Sequence, residues 1–90
     1  MTTAERISTV CDEVKALLIA KNRAYGDSAI NPVRIFSRAD AAEQINVRID
    51  DKLSRIARGR GTDQVTEDTE LDLIGYLILK RVQKLKAENG

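Results

Sequence analysis

The chain has no histidine, no tryptophan and a single cysteine, Cys11, in its 90 residues. Without histidine it lacks the usual general base near neutral pH and the commonest transition-metal ligand. One cysteine cannot close an internal disulfide, and with no histidine beside it cannot build a zinc site, so a reducing, cytoplasmic setting is expected. Any hydrolysis here would need carboxylates holding a hard cation such as Mg²⁺. Only three residues are aromatic, and a chain this short buries a modest share of its surface, so helices alone give a thin core. Self-association, as a homodimer or tetramer, is the expected remedy. No run approaches the roughly 20 apolar residues that span a bilayer. The N-terminus lacks the charged-then-apolar layout of a signal peptide. Fifteen basic residues stand against fourteen acidic ones, and this balance, with no polybasic tail, argues against direct DNA binding.

What is present is helical periodicity. The spacing predicts one all-α domain over 1–90, a small bundle of three main helices at about 3–24, 41–58 and 67–86. Thr2-Thr3-Ala4-Glu5 fits a capping box. Ile7, Val10, Cys11, Val14, Leu17 and Leu18 follow as an apolar stripe, in which Cys11 reads as a small buried residue rather than a nucleophile. Gly26 suits a C-terminal cap. The pattern is lost from Ser28 to Ala42, with a turn at Asn31-Pro32 and with Val33, Ile35 and Phe36 expected to tuck back onto the core. Ile45, Ile49, Leu53 and Ile56 form the inward row of the second helix, which Gly59 and Gly61 end. Thr66 is a good N-cap for the third helix, and the tail KAENG is expected to fray.

Three groups of polar residues stand out. In the nearly all-apolar run EDTELDLIGYLILKRV, Asp68 and Asp72 fall on one side with Gly75 and Leu79, at about 100° per residue. An ionised carboxylate facing an apolar interior needs a cation or several donors. Either Lys52, Arg55 or Arg48 supplies that charge, or Asp51, Asp68 and Asp72 together hold Mg²⁺. On the second helix, Gln44, Arg48, Asp51 and Arg55 share a face, with Lys52 at its boundary with the core. They read either as phosphate-binding cations or as a solvated face with an Asp51–Arg55 pair. At the end of the first helix, Lys21 continues the stripe, and Asn22 and Tyr25 sit beside it. Lys21 either snorkels to solvent or closes a site in which Tyr25 and Asn22 meet a base or sugar.

Taken in order, KNRAYGDS, VRIDDKLSRIARG and EDTELDLIGYLIL resemble the phage and bacterial family called nucleotide modification associated domain 1. The matching positions are Lys21, Tyr25 and Gly26; Arg48, Asp51, Lys52 and Arg55; and Asp68, Asp72, Leu73 and Tyr76. Gly75 departs from the pattern, since many relatives carry Asn before the Tyr. The resemblance covers about Glu13 to Val82 and implies a role with deoxynucleotides, in DNA modification or control of the nucleotide pool. A more distant likeness is to the MazG-type all-α nucleoside triphosphate pyrophosphohydrolases, which are Mg²⁺-dependent and oligomeric. On this reading Lys21, Asn22, Tyr25, Arg48, Lys52 and Arg55 bind the nucleotide, while Asp51, Asp68 and Asp72 hold the metal. The alternative is a non-catalytic adaptor whose charges form a structural ion-pair network.

Overall fold

The computed structural model describes residues 1–59 and 67–89, and within these every side chain except those of residues 67 and 68. Helices α1 (Thr3–Ala24), α2 (Ala41–Arg58) and α3 (Glu67–Asn89) make up the fold, with no strand among the described residues. No described helix is long and apolar enough to cross a membrane.

Local signals set the helix ends. Thr2 is extended, and its Oγ1 accepts from the Glu5 amide at 3.1 Å, as the capping box requires. The Glu5 carboxylate returns to the Thr2 hydroxyl at 3.2 Å. At the other end Gly26 has φ 62°, and the Asp27 amide donates to the Asn22 carbonyl at 3.1 Å. That bond closes a Schellman turn. Asp27 is also left-handed, with φ 63°, and its carboxylate accepts from Asn22 Nδ2 at 2.7 Å and from Asn31 Nδ2. A short polar side chain bonded locally is what makes that conformation tolerable without glycine. Asp40 caps α2 by accepting from the Glu43 amide at 2.8 Å, and Gly59 closes it by donating to the Arg55 carbonyl. Gly61 and Thr66 lie outside the described residues. Helix α3 runs on to Asn89 instead of fraying at Lys86, because Lys84, Lys86, Ala87 and Glu88 are good helix formers and no glycine interrupts them.

The core lies between α2 and α3, which pack along much of their lengths. Ile30, Ile45 and Ile49 are buried there against Leu73, Tyr76 and Leu79. Leu53 departs from the expected row and is 49% exposed. Eight residues of α-helix rotate it about 80° from Ile45, whereas Ile56 returns to within about 20°. Lys52 lies about 20° from that line on the other side, which explains why its side chain is only 14% exposed.

Two further expectations fail. Val33, Ile35 and Phe36 do not tuck back; Phe36 is 97% exposed. Ile30 takes the core position this segment reaches, and the bonded turn from Asp27 to Asn31 closes just before Pro32. On α1, Val14 alone is buried; Ile7, Val10 and Cys11 are exposed. Helix α1 meets α3 only at a narrow crossing and makes no close backbone approach to α2. Leu18 sits over Gly75 there, so near that a Cβ at position 75 would stand 2.9 Å from Leu18 Cδ2. The first half of α1 overhangs this crossing, and its stripe is more than half exposed at Ile7 and Val10.

Candidate functional site

The crossing leaves a cleft of about 570 Å³ between the second half of α1, the 28–33 segment, α2 and α3. Leu17, Leu18, Ile45 and Leu71 give it apolar walls, and Lys21, Asn22, Tyr25, Gln44, Arg48, Asp72 and Tyr76 line it with polar groups. Each arrives by helical spacing. Lys21 and Tyr25 are successive turns at the end of α1, Gln44 and Arg48 are successive turns of α2, and Asp72 and Tyr76 are successive turns of α3.

Asp72 is the electrostatic centre. Lys21 Nζ donates to its Oδ1 at 3.1 Å, and Lys52 Nζ stands 3.7 Å from its Oδ2. The carboxylate therefore bridges all three helices: Lys21 from α1, Lys52 from α2, and its own place on α3. The Asp72 side chain is 32% exposed and that of Lys21 44% exposed, so the contact is solvent-screened and modest in energy. Arg48 reaches over the Tyr76 ring, 6.0 Å from its centroid, within cation–π range. Gln44 Nε2 donates to the Ala39 carbonyl at 2.8 Å, holding the approach to α2 against the wall of the cleft. Of the charged groups that line the cleft, Lys21 and Arg48 stand against Asp72, a surplus of one positive charge, with Lys52 meeting Asp72 from outside the lining. A positive surplus suits a phosphate, for which guanidinium offers paired donors and ammonium a point charge.

The sequence-derived set is thus partly assembled. Lys21, Asn22, Tyr25, Arg48 and Asp72 line one cavity. Lys52 reaches Asp72 from behind it. Arg55 and Asp51 pair with each other at 3.5 Å on the outer face of α2, both more than half exposed, away from the cleft lining. The Asp68 side chain lies outside the described residues. Among the described residues no three carboxylates or thiols gather in a way that would hold a metal ion. The Lys21–Asp72 contact was not among the pairings that periodicity suggested, because the approach of α1 to α3 is a tertiary fact. Gln44 and Tyr76, named on their helices but not assigned to the nucleotide, also line the cleft. Their signal was available, since each lies one turn from a named residue, Arg48 and Asp72 respectively. Comparison with family models, curated proteins and solved structures finds no match for this chain.

Proposed function

We propose that this cleft binds a nucleotide, deoxynucleotides foremost, as the resemblance to nucleotide modification associated domain 1 implies. The observation that carries the reading is convergence. Three polar groups far apart in sequence, ending α1, opening α2 and within α3, line one cavity with two tyrosines and a surplus of positive charge. Phosphate meets Lys21 and Arg48. Tyr25, 68% exposed at the rim, offers its ring to a base, and Asn22 and Gln44 offer amide groups to sugar or base edges. An incoming phosphate competes with Asp72 for Lys21, so binding loosens one ion pair while making another.

Hydrolysis with Mg²⁺ at Asp51, Asp68 and Asp72 asks more of the chain. Asp72 would leave Lys21 and Lys52, and Asp51 would leave Arg55. As they stand, the described side chains do not fit the ion, and we propose binding rather than turnover. A second reading, a structural ion-pair network in an adaptor module, draws support from Asp72 being engaged from both sides.

Thermal unfolding against a panel of nucleotides and deoxynucleotides, each with and without Mg²⁺, tests the proposal. A ligand at a hundredfold excess over its Kd stabilises by about 2.7 kcal/mol, a shift of many degrees in a chain of this size. The expected result is such a shift for at least one phosphate-bearing nucleotide, lost in Arg48→Ala. A flat panel supports the ion-pair network instead. A shift that needs Mg²⁺, followed by pyrophosphate release, brings back the hydrolase.

A further inference from the structure

The two amide side chains of the cleft are held by partners that decide which end of each faces a ligand. Asn22 Nδ2 donates to Asp27 Oδ1 at 2.7 Å, and Asn31 Nδ2 donates to Asp27 Oδ2. Lys86 Nζ, from the last turn of α3, donates to Asn31 Oδ1. An ammonium only donates and an ionised carboxylate only accepts, so the polarity of this chain of bonds is fixed at both ends. Asn31 turns its oxygen to Lys86 and its nitrogen to Asp27, and Asn22 must turn its nitrogen to Asp27 as well. On α2, Gln44 Nε2 donates to the Ala39 carbonyl at 2.8 Å, a partner that also only accepts. Among the described residues neither Asn22 Oδ1 nor Gln44 Oε1 has a donor. Asn22 follows Lys21 in the chain and Gln44 lies one turn before Arg48, and all four line the cleft.

An amide free to turn over serves two kinds of base equally. It pairs with an amino-bearing edge in one orientation and with a carbonyl-bearing edge in the other. An amide that cannot turn must choose. With both nitrogens committed to the protein, Asn22 and Gln44 offer the cleft their carbonyl oxygens. The exocyclic group of a base projects farthest from its ring and is the first to meet them. An amino group there donates, whereas a carbonyl there sets lone pair against lone pair.

We propose that the cleft selects a nucleotide whose base carries an exocyclic amino group, adenine or cytosine, over the carbonyl counterparts hypoxanthine, uracil and thymine. Asp27 is the positioning residue that fixes this choice through Asn22. It does not line the cleft, so it acts on the ligand only by holding the amide. The proposal rests on the nucleotide reading of the cleft and adds to it the class of base.

The test is isothermal titration calorimetry of the full chain with deoxycytidine against deoxyuridine and deoxyadenosine against deoxyinosine. Each is supplied as mono- and triphosphate, so that every comparison is made at constant phosphate. The amino member of each pair is expected to bind about tenfold tighter, as for one hydrogen bond gained against one acceptor left unpaired. Asp27→Asn places a residue that tolerates the φ of 63° there. It donates as well as accepts, so it frees the Asn22 amide to turn. The preference should fall toward parity while binding through phosphate persists. Asn22→Ala, at a helical position that alanine suits, should narrow the preference too, and it decides the matter if Asp27→Asn fails to fold. Equal affinities in the wild-type protein, or tighter binding of the carbonyl member, overturn the inference and leave the nucleotide reading standing. A preference that survives Asp27→Asn overturns the role of Asp27, and one that survives Asn22→Ala overturns the role of the amide. No binding of any nucleotide defeats the underlying reading and the inference with it.

Discussion

Helix α1 carries an apolar stripe as regular as the inward row of α2, yet the two meet different surroundings. Ile45 and Ile49 of α2 are buried against α3, while on α1 the stripe is covered at Val14, half covered at Leu17 and Leu18, and bare at Ile7 and Val10. The α2–α3 pair is held by interdigitated side chains. Helix α1 is held by a close crossing at Gly75, by the Lys21–Asp72 bond, and by the turn that follows it. A stripe at helical spacing therefore tells that a face is built for covering and not what covers it.

The largest break in this comparison comes from the α2–α3 side. Ile45 is 1% exposed, and Ile45→Ala should cost about 2–5 kcal/mol in denaturant unfolding, most of the stability of so small a core. Asp72→Asn strikes the joint between the two regions. It removes the charge that holds Lys21 and leaves the mostly buried Lys52 short of a partner. With Asp72 and Lys21 partly exposed, the expected cost is about 1–2 kcal/mol. Hydrogen exchange should quicken in α1 with α2 and α3 unchanged; a rise in stability would instead mark Asp72 as one of several repelling carboxylates. Thr2→Ala, at the far end of α1, should cost about 0.5–1 kcal/mol of helix stability, seen as fraying confined to its first turns. Smallest of all is Arg55→Ala, which removes an exposed i,i+4 pair with Asp51 and should change stability by less than about 0.5 kcal/mol. Were Arg55 a nucleotide ligand, its loss would weaken binding while leaving stability alone.

The three helices and most of their ends were legible because caps and breakers are local: Thr2 with Glu5, Gly26, and Gly59. Asp40 shows how short-range that code is, since its side chain reaches only three residues on. Lys52 was legible as a boundary residue for the same reason, its angle on α2. Leu53 shows the limit of reading a row by steps of four, because the drift accumulates with each turn. Burial of Val33, Ile35, Phe36 and Cys11 was not legible. It depends on which element lies opposite, and no spacing within a segment encodes that. For the site, one face of each helix could be read off, giving Lys21 with Tyr25 and Arg48 on α2. That Lys21 would meet Asp72 required knowing how α1 lies on α3.

Gly75 bears on this last point. It lines the cleft together with Leu18, and any side chain there must push Leu18 aside or lift α1. The aperture of the cavity is thus governed at a position that makes no side-chain hydrogen bond to anything. If the cleft binds a ligand as proposed, a methyl group at position 75 would act on the room beside Leu18, while Lys21, Arg48 and Asp72 would supply the chemistry.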